Sequence, residues 1–340
     1  MSHFSVLVIT REKPTEKVLG RVLQPWHEFE CTGTVDQYVR DVDITEEVRL
    51  SMTKPRGGKG DDAGKPWCVT LDEALEHHGL AGSIVEDESE VDREDDHKWG
   101  WAVVHDGQLV RAVDRTNPDK RWDWWQLGGR FTGRLAMRRG GASGMVGSPG
   151  LMTRSKAGMY DAMLVADLDL VGMRERVTSE ARTSLSEAVG KIFLMHPDLR
   201  RFGALKAAWA EARQLYLEHV RPKRDLLEAG GWTGGNIWQA AILECPRLGV
   251  LQDILKPITC MWRGLGIELD VHDPWARVES LPGLSAYAVV TLDGRWLERG
   301  TMGWFGVSSG EMSESDWHAQ LEEALSSAGD AWVSIVDCHI

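Results

Sequence analysis

The chain opens with HFSVLVIT, where Phe4, Val6 and Val8 alternate with His3, Ser5, Leu7 and Ile9; the alternation and β-branched content predict a strand that begins a sheet. WGWAVVHDGQLVRAVDR and SAYAVVTLDGRWLERG each run apolar residues into an Asp-Gly pair and out again, the pattern of a hairpin. A Trp- and Gly-rich piece follows each one, WDWWQLGGRF and TMGWFGVSSG, so the two read either as a weak internal repeat or as hairpins sharing turn chemistry. AWVSIVDCHI closes the chain as another strand.

Between the hairpins the period changes. From Asp169, a predicted cap, apolar residues recur at Leu170, Met173, Val177, Ala181, Leu185, Ala188, Ile192 and Met195, until Pro197 breaks the pattern. A second helical stripe, from Leu205 through Trp209 and Tyr216 to Val220, ends before Pro222. TLDEALEHHG is a short helix with Thr70 as its cap, Glu73 at the capping-box position and Gly79 as its stop. Another helix starts at Thr45, with Glu46 and Glu47 in its first turn. WHEFECTGT reads as an extended piece ending at Gly33, the acid-rich EDESEVDREDDH as a solvated loop, and GGASGMVGSPG as a flexible connector.

Strands at both extremes with helices between them predict an α+β fold, in which a central, mainly antiparallel sheet of ferredoxin-like character joins the N- and C-terminal strands and carries a helical insert. The expected organisation is an N-terminal α+β part over 1–150, the insert over 151–230, and a C-terminal α+β part over 231–340 that completes the same sheet.

Composition narrows the functional classes. At 340 residues, 42% hydrophobic and 27% charged, the chain has the means for one large or two modest domains. No segment reaches the roughly 18–20 apolar residues of a membrane span, and the start lacks a secretory signal, so no membrane partner and a cytoplasmic location are expected. A net charge of −13 argues against extended nucleic-acid binding. Five scattered cysteines without a C-x-x-C pair exclude a zinc ribbon or a thioredoxin motif and read as buried thiols. The oddity is tryptophan: sixteen, against six phenylalanines and four tyrosines. Each brings apolar area and one N–H, which suits pocket walls.

Two constellations carry candidate chemistry. In RWDWWQLGGRFTGR, Gly128 and Gly129 permit close backbone approach, Arg130 and Arg134 offer forked positive charge, and Trp124 and Trp125 offer ring faces. Together they predict a site for a small anionic or nucleotide-like ligand; the plainer alternative is a Trp-lined sheet edge and a tight turn. The segment is neither a P-loop nor a dinucleotide fingerprint. The second constellation joins His27 and Glu30 of HEFEC to Asp337 and His339 of the last strand. If the first and last strands are neighbours these gather with His3, and imidazoles with a carboxylate suit acid–base work or a divalent metal. The alternative is satisfied polar residues at strand ends.

The blocks MSHFSVLVI, HEFECTGTVDQYV, WDWWQLGGRFTGR, GRWLERGTMGWFG and DCHI resemble a family of bacteriophage- and prophage-borne proteins. That resemblance implies a viral source and a place in the host cytoplasm, and no activity. Three classes follow: a hydrolase or transferase acting on a small phosphorylated or nucleotide-like molecule; a non-catalytic protein that sequesters such a ligand or inhibits a host protein in an anti-defence role; and a structural or virion-associated protein, which would call for coiled-coil or repeat character that the chain lacks.

Overall fold

The computed structural model describes residues 3–55, 64–151, 153–154, 157–228, 235–261, 273–302 and 308–340. Trp304, Phe305 and much of the Gly-rich piece after the second hairpin lie outside the described residues. The chain divides into two compact units, Met1–Asp169 with Ser285–Ile340, and Leu170–Leu284. No helix among the described residues is long and apolar enough to cross a membrane.

The first unit begins with β1 (His3–Thr10), α1 (Glu16–Leu23), the single turn α2 (Phe29–Thr32), β2 (Arg40–Asp43) and α3 (Thr45–Thr53). Next come α4 (Leu71–His77), β3 (Ile84–Val85), β4 (Gly100–His105), β5 (Gln108–Thr116) and β6 (Trp124–Gly129). Short strands β7 (Leu135–Ala136), β8 (Ser148–Pro149), β9 (Met159–Tyr160) and β10 (Ala162–Leu164) lead to the second unit. That unit holds α5 (Leu170–Met195), α6 (Phe202–His219), α7 (Arg221–Glu228), α8 (Ile237–Glu244), α9 (Pro246–Met261) and α10 (Pro274–Glu279). The chain then returns through β11 (Ala288–Val290), β12 (Trp296–Glu298), β13 (Thr301–Met302), β14 (Ser308–Ser309), α11 (Glu314–Ser326) and β15 (Trp332–His339).

The fold is α+β, and its main sheet joins the two ends of the chain. Strands run in the order β12-β11-β1-β15-β6-β8. β1 lies antiparallel to β15 along its whole length and parallel to β11. The other edge of β15 is shared: β10 pairs with its first half and β6 with its second, both antiparallel. β1 is central, so after His3 it is buried on both faces. Phe4, Val6 and Val8 pack one face against Leu19 and Leu23 of α1, with Val336 and Cys338 of β15 beside them. Each large aliphatic side chain withdrawn from water contributes about 1.5–3 kcal/mol.

A second sheet, β2-β5-β4-β3, is built on the first hairpin, whose turn places Asp106 and Gly107 at positive φ, 48° and 73°. Val48 of α3 and Ala74 and Leu75 of α4 bury its core with Ala102 and Ala112. The capping box of α4 forms as expected, with Thr70 and Glu73 exchanging bonds.

The second unit is helical. Its core gathers Leu185 and Ile192 of α5, Leu205, Ala212 and Tyr216 of α6, and Leu251 and Leu255 of α9. The stripe expected to end before Pro222 does so at His219, and Pro222 then sits in the first turn of α7, where its missing N–H costs nothing.

One expectation fails locally. WHEFECTGT is not an extended strand: after a single bridge from His27 to Trp122 it coils into α2. Gly33 ends that turn in the left-handed region, at φ 64°.

Candidate functional site

Strand register assembles the site. In β1 and β15, His3 faces His339 and Ser5 faces Asp337; in β15 and β6, His339 faces Trp124 and Asp337 faces Gln126. Directly paired residues share a face, so His3, His339 and Trp124 form one row and Ser5, Asp337 and Gln126 the next. The His3 and His339 rings meet edge to face with centroids 5.0 Å apart, and the Trp124 ring stands 6.2 Å from His3.

Each imidazole is held by a carboxylate. His3 Nδ1 lies 2.8 Å from Asp337 Oδ1, a diagonal contact between neighbouring strands. His339 Nδ1 lies 2.6 Å from Asp123 Oδ1, and the Asp123 N–H donates to the His339 carbonyl at 3.0 Å. An Nδ1–H given to a carboxylate leaves Nε2 as the lone-pair nitrogen. Neither Nε2 makes a hydrogen bond among the described residues. Both side chains are only about one-seventh exposed, and Asp337 is buried.

The Gly128-Gly129 pair does bring backbone close to anions, and those anions are the chain's own. Both glycines have positive φ, 80° and 51°. A Cβ at Gly128 would sit 2.6 Å from Asp161 Oδ2, and one at Gly129 only 2.4 Å from Asp337. Arg130 N–H donates to Asp337 Oδ2 at 2.8 Å. Gly133 N–H, Gly147 N–H and Thr132 Oγ1 donate to Asp161, which is fully buried. Arg130 is exposed and forms no ion pair among the described residues, while the Arg134 guanidinium lies 4.8 Å from the Phe131 ring centroid. Trp124 is exposed and Trp125, on the opposite face of β6, packs into the core above α1. Over Trp125, on the α1 side of the sheet, opens a cleft of about 530 Å³ lined by Glu16, Leu19, Trp122, Trp125, Leu127 and Ser148 among others, and by neither His3 nor His339.

His27 and Glu30 take other places. His27 is fully buried, with Nδ1 2.7 Å from Thr32 Oγ1 and Nε2 3.4 Å from Asp36 Oδ2. Asn117 Nδ2 donates to its carbonyl. Glu30 accepts from Thr116 Oγ1 at 2.6 Å and Lys120 Nζ at 2.5 Å. Burial works against the charge of Glu30, and these two bonds outweigh it, holding the carboxyl below the ordinary range. The helical turn instead delivers Glu28 and Cys31 to Asp123, with one ligand atom of each within 4.8 Å of the others. This trio has the donors to hold a divalent cation. In its present surroundings burial, followed by the charges of Glu28, Asp123 and Glu30, pushes the Cys31 thiol up to about 11. A thiol so protonated at neutral pH is no nucleophile.

The structure thus brings together His3, Asp337, His339 and Trp124, with the backbone amide of Arg130 on Asp337. Asp123 was legible only through pairing, as the residue before the strand that faces the chain's last histidine. Asp161 has no local signal. The chain matches no protein-family model, no curated protein and no solved structure in comparisons with each.

Proposed function

We propose that the protein is a hydrolase or transferase acting on a small phosphorylated, nucleotide-like molecule, with His3 and His339 as its acid–base pair. The observation that carries this reading is the pair itself: two imidazoles 5.0 Å apart, each with Nδ1 held by its own carboxylate. In such a pair one Nε2 takes a proton from the attacking hydroxyl or water while the other, protonated, gives one to the leaving oxygen. Asp337 and Asp123 orient the rings and stabilise the imidazolium that forms. The exposed Trp124 face, next to His3, takes the ring of the ligand. The sequence resemblance supports a phage-encoded protein working in the host cytoplasm.

The test is to replace His3 or His339 with Gln, which keeps approximate size and removes the proton relay. Turnover of a nucleotide ester should fall at least roughly hundredfold in each variant, the lower end of what acid–base groups contribute, with the thermal transition little moved. Undiminished turnover in both variants would remove the acid–base pair, and a chain that binds the ligand without turning it over would be a ligand-sequestering protein instead of an enzyme.

A further inference from the structure

We infer that the cleft over Trp125 binds a small organic cation, an alkylammonium with an apolar body. This is a second site, on the other face of the sheet from the histidine pair, and it stands whether or not that pair is catalytic.

The cleft lies between α1 and β6, and its volume of about 530 Å³ suits a small molecule. Its inner lining is apolar and fixed in place. Leu19 and Trp122 are buried, and Leu127 is partly so. The Trp122 N–H is given to the Leu23 carbonyl at 3.0 Å, so what that residue offers the cleft is ring surface. Trp125 is braced on the helix: a Cβ built at Gly20 would lie 3.6 Å from its Cζ2, ordinary contact distance. Its side chain is half-buried, so part of the indole still faces the cleft.

The charges of the lining have one sign. Glu16 and Asp123 both contribute to it, and among the described residues no Lys, Arg or His does. Glu16 is exposed and pairs with no cation among the described residues. Asp123 has a single ion-pair partner there, the His339 imidazole, with Nδ1 at 2.6 Å. The carboxylates therefore sit toward solvent and the rings and Leu19 further in.

That arrangement selects by charge. An anion would meet two carboxylates and no cation, and a neutral molecule would gain nothing from either acid. An ammonium group gains from both acids, and from the negative face of an indole as well. Its apolar body covers Leu19 and Trp122, which withdraws further area from water.

The probes are choline, the bulkier benzyltrimethylammonium, and 3,3-dimethylbutan-1-ol, the uncharged carbon isostere of choline. In calorimetric titrations of the full chain both ammonium ions should bind saturably, and the alcohol at least roughly tenfold more weakly than choline. Trp125→Leu should weaken choline binding about tenfold, the worth of one desolvated cation–π contact, and Trp125→Phe much less. Glu16→Gln, an exposed change that leaves the core alone, should weaken it about threefold. Because Trp125 also packs on α1, Trp125→Phe and Glu16→Gln carry the test if Trp125→Leu does not fold. Equal affinity for choline and the alcohol would overturn the inference and leave an apolar cleft. Saturable binding of neither ammonium ion, or choline binding unchanged in both Glu16→Gln and the Trp125 variants, would overturn it as well.

Discussion

At the scale of single residues, the glycine pair shows how one sequence feature admits two partners. Gly128 and Gly129 permit close approach to a carboxylate or a phosphate alike, and the structure places Asp161 and Asp337 there. The consequence is measurable. Gly129→Ala forces a side chain into positive φ and into Asp337, and should cost about 3 kcal/mol in a denaturant titration. Gly79→Ala, at φ 72° with open space around it, carries only the backbone strain, about 1 kcal/mol. Equal losses at both sites would show that the Asp337 contact has no energetic weight. Asp167 offers a second residue-scale test. Ser143 Oγ, followed by the amides of Ala142 and Ser143, hold its carboxyl below the ordinary range. Because the folded value is depressed, this tether is complete above the free-carboxylate value of about 3.9 and is lost as the pH falls through the folded one. The protection of the Ala142 and Ser143 amides, taken relative to intrinsic exchange at each pH, should then fall at acid pH, and in Asp167→Asn at every pH.

Among the elements, β15 ties the most together. It pairs with β1, β6 and β10, and it carries both Asp337 and His339. Ile335, fully buried within it, should cost about 2–5 kcal/mol when cut to Ala. Removal of 333–340 should abolish cooperative unfolding followed by tryptophan fluorescence; a truncated chain that still unfolds in one sharp transition would refute the role given to this strand. The element that departs from expectation is α2. Its residues alternate well enough for a strand, yet the Glu28 N–H bonds Trp122, Asn117 holds the His27 carbonyl, and Gly33 closes the turn. Those partners lie some ninety residues away in sequence, so no local pattern announces them.

For the whole molecule, the division into two units makes a prediction about folding. The core of Leu170–Leu284, from Ile192 and Leu205 to Tyr216 and Leu255, draws its buried residues from that unit alone. Residues 170–284 expressed by themselves should show helical circular dichroism and a cooperative thermal transition. A molten, non-cooperative product would mean that the helices need the sheet. The main sheet, in contrast, takes strands from both ends of the chain, and its residues surround the helical segment in sequence.

The sequence by itself determined what short-range physics controls. Alternation in HFSVLVIT, the Asp-Gly turns, the Thr70–Glu73 box and the apolar stripe from Leu170 to Ile192 each act within a few turns or strand pairs, so composition and spacing suffice to read them. They also nominated His3, Asp337, His339 and Trp124 as residues of interest. Only the tertiary structure decided that these four meet, that Asp123 joins them, that His27 and Glu30 turn away, and that the glycine loop closes on Asp161. Pairing between strands more than three hundred residues apart depends on which register buries the most apolar surface and satisfies the most buried polar groups. That balance is struck over the whole sheet at once, and no window of the chain contains it.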